Sequence, residues 1–288
     1  MSQPVSATAT LLIHCPDRAG LVHDVTGFIL SHHGNIIDLQ QHIDPAEDAF
    51  FMRLEWDLSG FNLEQEEIED RLRPMARRHQ MQWQLHFSTQ RPRVALFVTK
   101  ENHCLYDLLA RHEAGELPAD IPLIISNHEI LRPVAERFGL AFHHFPMRAD
   151  NKAQVEEAQL ELLRAERIDT LVLARYMQII SPRLIAAFPH QILNIHHSFL
   201  PAFVGAKPYH QAYERGVKLI GATSHYVTED LDEGPIIHQD VTRVSHADNV
   251  SDLVRLGRDL EKTVLAKALR WHLGHRVLVY RNKTVVFG

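Results

Sequence analysis

From residue 93 onward, short apolar runs alternate with longer stretches of helical periodicity. The run "RVALFVTK" leads into "NHCLYDLLARHEAG", and "DIPLIISN" leads into "HEILRPVAERFG". Short, uniformly apolar strands separated by helices are typical of a parallel sheet that helices cover on both faces. Such sheets bind their ligands at the carboxyl ends of the strands. The pattern predicts a mostly parallel α/β domain with its site at that edge.

The first part of the chain has a different order of elements. A strand, "TATLLIHC", is followed by the turn "PDRAG" and by a helix that we expect to stop at Gly34. Two strands, a charged second helix and a last strand complete the order βαββαβ, the ferredoxin-like plan. The polar segment "FSTQRP" then separates the two patterns. We predict a tail at 1–8, a small domain at 9–86, a linker at 87–92 and the larger domain at 93–288.

Charge and composition argue against several classes of protein. The 288 residues carry a formal net charge of -6, so no basic field attracts nucleic acid or an anionic membrane. No apolar run approaches the roughly 20 residues that span a bilayer, and "MSQPVSATAT" lacks the features of a signal or transit peptide. Only Cys15 and Cys104 occur, without a C-x-x-C pair, which argues against a disulfide framework. We expect a reduced, soluble, cytoplasmic protein that binds neither nucleic acid nor membrane.

The segment "ILNIHHSFLP" places polar side chains at the end of an apolar strand. Residues two apart in a strand share a face, so Asn194 and His196 point the same way. His197 points the other way with Leu193 and Ile195, and we expect it to pack against a helix. The strand-face argument therefore assigns the chemistry to Asn194 and His196.

A second polar segment, "YVTEDLDEGPII", follows another strand. Its Gly-Pro turn comes just after Asp232 and Glu233 and is followed by a further apolar strand. A loop held between two strands can bring a carboxylate to an imidazole on a neighbouring strand. A carboxamide, an imidazole and a carboxylate together suit attack on an acyl carbon. The alternative is an ordinary solvated acidic loop.

Histidine is abundant, with 21 residues, so a metal-dependent hydrolase must be considered. Four histidines could converge on a metal: His196, His210, His225 and His238. The sequence has no H-E-x-x-H motif and no matched second carboxylate, so we predict no metal.

The segment "NIHHSFLP", followed by "GATSHYVTEDLDEGPII", resembles the signature of the folate-dependent formyltransferase family. The resemblance implies a Rossmann-like fold and a site for 10-formyltetrahydrofolate. It implies that Asn194 polarises the formyl oxygen and that His196 serves the leaving nitrogen. Asp232 would hold His196 and the attacking group. Folate is then the substrate, and no cofactor is implied.

The segment "LARYMQIIS" resembles the part of that family's fold that holds the pterin ring. The alternative is an ordinary core strand. Together with the second polar segment, the resemblance implies these substrate-binding residues: Met177, Gln178, Ile180, His225, Val227 and Gly234.

The segments "HCPDRAGLVHDVTGFI" and "GNIIDLQQ" resemble the ACT domain. The resemblance implies a site for a small effector, such as an amino acid, formed by Asp17, Arg18, Gly20 and Asn35. It also implies a homo-oligomer, because ACT domains pair. The alternative is that this domain only joins subunits.

The acceptor of the formyl group distinguishes members of the formyltransferase family. A phosphorylated acceptor such as glycinamide ribonucleotide needs backbone N–H groups in a flexible Gly/Ser loop or at a helix N-terminus, but "TKENHCLYDLL" has no glycine and only Lys100 as a cation. We therefore expect water as the acceptor and hydrolysis to tetrahydrofolate and formate, in one-carbon and purine metabolism. Two alternatives remain: formyl transfer to an amine such as glycinamide ribonucleotide, and a regulatory protein that senses amino acids.

Overall fold

The computed structural model describes residues 6–202 and 208–288. Most of the predicted tail, residues 1–5, and the segment "FVGAK" lie outside the described residues. The chain divides into two compact units, Met1–Arg91 with Phe287–Gly288, and Pro92–Val286. Each unit has its own hydrophobic core.

The first unit has the predicted element order. Its elements are β1 (Thr8–Pro16), α1 (Leu21–Ser31), β2 (Asn35–Asp44), β3 (Ala49–Asp57), α2 (Gln65–His79) and β4 (Gln82–Phe87). The four strands form an antiparallel sheet in the order β2-β3-β1-β4. Val25 and Ile29 of α1 and Ile68 of α2 are buried in one core with Phe50 and Trp56 of the sheet. The βαββαβ prediction is confirmed.

The end of α1 differs from the prediction by one residue. The left-handed residue after the helix is His33, with φ 60°, and not Gly34. Gly34 serves another purpose, since a Cβ at this position would lie 2.5 Å from Cγ2 of Ile29. Close packing, rather than backbone conformation, therefore requires glycine at residue 34.

The second unit contains nine strands and six helices among the described residues. The strands are β5 (Arg93–Val98), β6 (Asp120–Ser126), β7 (Ala141–His144), β8 (Thr170–Leu173), β9 (Ile192–His196), β10 (Leu219–Tyr226), β11 (Ile236–Arg243), β12 (Val277–Tyr280) and β13 (Lys283–Val286). The helices are α3 (His103–Glu113), α4 (Arg132–Arg137), α5 (Lys152–Ala165), α6 (Pro182–Ala187), α7 (Pro208–Arg215) and α8 (Val250–Leu273). None of the helices described here is long and apolar enough to cross a membrane.

Seven strands form the main sheet, in the order β11-β10-β9-β8-β5-β6-β7. Strands β5 to β9 are parallel to one another, and β10 is antiparallel to both β9 and β11. The prediction of a mostly parallel α/β sheet is confirmed. The carboxyl ends of β8 and β9 are therefore adjacent, and β10 lies along the other side of β9.

Strand β8 is shorter than the apolar pattern predicts. The run "DTLVLARYM" leads us to expect a strand through Met177, but β8 ends at Leu173. Arg175 has a left-handed backbone with φ 64°, a conformation that does not continue a strand. The expectation was wrong because apolar composition does not distinguish a strand from the buried segment that follows it. Residues after Leu173 are consequently available to line a cavity at the sheet edge.

Candidate active site

Asn194 lies in β9 with a strand on each side. It is opposite Leu173 of β8 and His225 of β10. Its amide nitrogen is 3.2 Å from Nε2 of His225, while Nδ1 of His225 is 2.9 Å from the carbonyl oxygen of Tyr226. Because a carbonyl only accepts, this contact assigns the proton of His225 to Nδ1, and Nε2 can accept from Asn194. The second amide hydrogen of Asn194 is then free for a ligand.

His196 is the last residue of β9 and is only 6% exposed. Its Nδ1 lies 3.2 Å from Oδ2 of Asp232. Its Nε2 is buried and has no hydrogen-bond partner among the residues that the structure describes. Buried polar atoms are rarely left without a partner, so an unpartnered ring nitrogen beside a cavity is where a ligand contact is expected.

Asp232 lies in the loop between β10 and β11 and has a left-handed backbone, with φ 58°. Its two oxygens face two imidazoles, since Oδ1 is 3.6 Å from Nε2 of His225. Burial alone raises the pKa of the Asp232 carboxyl, but the hydrogen bond from His196 and the nearby imidazole of His225 hold that pKa well below its usual range. The carboxylate is therefore ionised at neutral pH and acts as an acceptor.

These side chains border a cavity of about 380 Å³. Four other predicted substrate-binding residues also line it: Met177, Gln178, Ile180 and Val227. Met177 and Ile179 are exposed at 57% and 61%, and both line the cavity. The backbone N–H of Met177 donates to Oγ1 of Thr99, at 3.0 Å, which holds this segment beside β5. An apolar rim over a few convergent polar groups is typical of a small-molecule site.

Gly234, in contrast, does not line the cavity. A Cβ at this position would lie 1.8 Å from the carbonyl oxygen of Tyr226, so only glycine allows the loop to pass this close to β10. Gly234 thus shapes the loop that carries Asp232 and is not part of the cavity lining.

His197 has an intermediate position. The strand ends at His196, so the alternation of faces does not extend beyond it. The ring of His197 contacts Tyr209 of α7 at a centroid distance of 5.9 Å, yet His197 also borders the cavity. Burial, followed by the charge of Arg175, lowers the pKa of His197 to about 4. His197 is therefore a neutral side chain at neutral pH.

The histidines of the metal alternative do not converge in the part of the chain that is described. His225 is close to His196 through their shared contact with Asp232. His238 instead packs against Trp271, with centroids 4.9 Å apart, and His210 is exposed on α7. Neither His210 nor His238 borders the cavity.

Sequence reasoning missed two prominent residues of this cavity, Arg175 and Leu231. The signal for Arg175 was a single cation within the otherwise apolar run "LVLARYMQII". Leu231 is 60% exposed next to Asp232, and its position in an acidic loop concealed its role as part of the apolar rim.

The predicted effector site of the first unit coincides with a second cavity, of about 370 Å³. Asp17, Arg18 and Gly20 line it, together with Gln41 and Phe50. Gly20 has φ 95° at the start of α1, a conformation that favours glycine. Asn35, the fourth predicted residue, is exposed at the start of β2 and is not part of the lining. The structure therefore groups three of the four residues.

Both units match known families. Residues 9–74 match the model of the ACT domain, and residues 92–269 match the model described as formyl transferase. The Asn194, His196 and Asp232 arrangement lies in the second of these regions. The fold and the site therefore define an ACT domain followed by a formyl transferase domain.

Relatives that match over nearly the full length identify the family more specifically. The chain is 55% identical to a formyltetrahydrofolate deformylase of Synechocystis over 97% of this chain and 98% of the relative. It is 50% identical to a formyltetrahydrofolate deformylase of Bacillus subtilis, over 96% of this chain and 93% of the relative. The crystal structure of a formyltetrahydrofolate deformylase from Pseudomonas syringae has a TM-score of 0.96 at 48% identity, covering 99% of this chain and 95% of that chain. The chain belongs to the formyltetrahydrofolate deformylase family.

Proposed function

We propose that this protein hydrolyses 10-formyltetrahydrofolate to tetrahydrofolate and formate. The observation that carries the proposal is the convergence of a carboxamide, an imidazole and an ionised carboxylate from β9 and the β10–β11 loop around one cavity. Membership in the formyltetrahydrofolate deformylase family supports the same reaction. The sequence resemblance and the geometry favour the same three residues, Asn194, His196 and Asp232.

In the proposed mechanism, Asp232 and His196 hold a water molecule against the formyl carbon. The oxygen of water forms a bond to that carbon, and one proton of water passes to the side chains that hold it. The free amide hydrogen of Asn194 donates to the oxyanion that develops on the formyl oxygen. The C–N bond then breaks, the folate nitrogen takes up the proton from the Nε2 side of His196, and the formic acid that forms loses its remaining proton to solvent and leaves as formate.

The expected contributions are large enough to account for an enzyme. Removing one oxyanion donor typically costs ~10²–10³ in rate, and removing a general acid or base costs ~10²–10⁴. Because Asp232 remains ionised, it favours the charged form of His196 when the ring carries a proton during the reaction. We propose no metal and no cofactor in these steps.

The apolar rim around Met177, Ile179 and Leu231 supports a flat heteroaromatic substrate. A cavity of about 380 Å³ is within the range that binds small molecules, roughly 300–1,000 Å³. We propose that the pterin ring of the folate binds here and that main-chain groups near Gln178 and Ile180 form hydrogen bonds with the edge of the ring.

The test that separates hydrolysis from transfer uses the purified protein with 10-formyltetrahydrofolate alone. We expect formate to be released without any added amine, at a rate that glycinamide ribonucleotide does not increase. Release that requires the ribonucleotide would instead favour the transferase alternative. The segment "TKENHCLYDLL" supports hydrolysis, because it enters α3 without the glycines of a phosphate-binding loop.

For the first unit, we propose regulation by an amino acid bound in the cavity lined by Asp17, Arg18 and Gly20. A carboxylate beside a guanidinium offers partners for the ammonium and carboxylate groups of such a ligand. We further propose that the protein is a cytoplasmic homo-oligomer whose subunits join through this unit. We also propose that its reaction serves purine biosynthesis. Assaying formate release with each amino acid, in the parent and in the Arg18→Met variant, tests the effector site. A response that survives this substitution unchanged would contradict it.

A further inference from the structure

A buried polar cluster lies beside the catalytic residues, and the proposed mechanism does not use it. Its centre is Glu261 of α8, whose side chain is 1% exposed. Nε2 of His103 lies 2.8 Å from Oε2 of Glu261, and the hydroxyl of Tyr209 donates to Oε1 at 2.6 Å. Nε of Arg175 is 3.4 Å from Oε2. The carboxylate thus holds an imidazole, a phenol and a guanidinium in one place.

The cluster is better suited to an arginine than to a metal ion. Ligand atoms of His103, Cys104 and Glu261 lie within 4.8 Å of one another, which permits a metal by distance alone. However, the carboxylate of Glu261 is already engaged by His103, Tyr209 and Arg175. Burial raises the pKa of Glu261, but His103, Arg175 and Tyr209 lower it below its usual value overall. Arg175 already supplies the positive charge that balances the carboxylate.

Arg175 is held in an unfavourable backbone conformation. Its φ of 64° is left-handed, a conformation that non-glycine residues adopt uncommonly and at a cost in free energy. Such strain persists only where the surrounding structure compensates it, and it is often associated with function. The carboxylate of Glu261 provides the compensation here.

The guanidinium also borders the catalytic cavity. Arg175 lines that cavity with Asn194, His196 and His197, and its side chain is 13% exposed. Nε and Nη1 are buried without a hydrogen-bond partner among the described residues. Its charge contributes to the lowered pKa of His197, after burial. The charges of Glu261 and Asp232 act on His197 in the opposite direction, so the guanidinium influences the cavity as a cationic group of its lining next to His197, and not through a net positive field.

We propose that Arg175, tethered by Glu261, is a specificity-determining residue that makes water the acceptor by excluding amines. This inference rests on the proposed hydrolysis. Amines reach the protein mostly as ammonium ions, which a nearby guanidinium repels. A neutral amine that attacks the formyl carbon acquires positive charge on its nitrogen as the N–C bond forms, and the guanidinium disfavours that charge as well.

The charges of the products of transfer and of hydrolysis also favour hydrolysis beside a guanidinium. In transfer, the C–N bond to folate breaks, a proton moves from the amine to the folate nitrogen, and a neutral formamide remains. In hydrolysis, the new C–O bond yields formate, an anion whose geometry matches a guanidinium. Arg175 therefore opposes amine transfer and favours the anionic product of water attack, which is discrimination by a repulsive element.

The experiment measures the partition of formyl groups between water and an amine. Full-length protein is incubated with 10-formyltetrahydrofolate and glycinamide, and formylglycinamide and formate are both quantified. In Arg175→Met and Arg175→Gly we expect the ratio of formylglycinamide to formate to rise about tenfold or more, because a like-charge contact has been removed. Arg175→Lys should stay close to the parent ratio, since it keeps the charge.

Arg183→Met is the matched control, because Arg183 lies on α6 with a 69% exposed side chain and is paired with Glu157 outside the cavity lining. It should keep the parent ratio. Arg175→Gly guards against misfolding, since glycine favours the left-handed backbone. Unchanged ratios in Arg175→Met and Arg175→Gly would overturn the proposal. So would a raised ratio in Arg175→Lys, or a folded Arg175→Gly protein that makes neither product. Failure of the parent protein to release formate would instead refute the proposed hydrolysis.

Discussion

Each of the two units of this protein contains a buried ion pair. The two pairs differ in whether every hydrogen-bonding atom of the buried side chain has a partner. In the first unit, Arg53 of β3 is 3% exposed and donates to Asp38 and Glu55, each at 2.8 Å. In the second unit, His196 is bound to Asp232 through Nδ1 only, and its Nε2 has no partner among the described residues. The Arg53 cluster has paired charges within the sheet, whereas the His196 pair has capacity for a ligand. Nδ1 of the buried His79 in the first unit is also without a partner among the described residues, so unmet hydrogen-bonding capacity marks the proposed active site only because it borders a cavity.

The largest effect is predicted for a variant that breaks the ion pair of His196 with Asp232. Asp232→Asn should lower kcat by ~10²–10⁴, because the amide no longer orients the imidazole and the water as a carboxylate does. Folate binding should remain, since the apolar rim is unchanged. Steady-state kinetics of formate release, with folate binding followed by fluorescence, measure both quantities. Asp240→Asn, on the exposed part of β11, is the control. Near-normal turnover by Asp232→Asn would remove this loop from the mechanism.

The next prediction concerns a variant that removes the cation from the cluster of Arg53, Asp38 and Glu55. Arg53→Met should lower the free energy of unfolding by about 3 kcal/mol, because Asp38 and Glu55 are left without their cation. The kcat of the folded protein should not change, since the cluster lies in the first unit. Urea denaturation followed by circular dichroism gives the first value, and kinetics give the second. Arg73→Met is the control, because its pair with Asp70 is exposed and contributes little. A stable Arg53→Met protein with low kcat would contradict the comparison.

A smaller effect concerns pH. The pKa of His197 is lowered from 6.5 to about 4 in the folded protein. Between these values the unfolded chain binds more protons, so the stability contributed by neutral His197 is present above pH 6.5 and is lost as pH falls toward 4. His197→Gln should reduce this loss by about 2 kcal/mol between pH 7 and 4.5.

The measurement for His197 is urea denaturation at both pH values, with the exposed His210→Gln as the control. An unchanged pH dependence in His197→Gln would show that the ring titrates normally. Because the ring of His197 packs against Tyr209, His197→Ala should also impair stability more than turnover. A well-folded His197→Ala protein without activity, beside an active His196→Ala protein, would reverse the assignment of the two histidines.

Local patterns were sufficient for much of the fold. The order βαββαβ, the parallel strands after residue 93 and the common face of Asn194 and His196 all depend on periodicity within single segments. The end of β8 could not be read in this way. "LVLARYM" is apolar except for Arg175, and only the packing of the completed sheet shows that Arg175 leaves the strand in a left-handed conformation. Similarly, the left-handed residue after α1 is His33, because Gly34 is needed for close contact with Ile29.

The sequence by itself determined the two kinds of sheet, the family and the candidates Asn194, His196 and Asp232, because hydrophobic period and short motifs are local properties. Only the tertiary structure decided that Asp232 approaches both His196 and His225, that Gly234 serves the loop, and that Arg175 borders the cavity through its contact with Glu261. These contacts join residues that are far apart in the chain. Their distances depend on how strands and helices pack together, which no local pattern specifies.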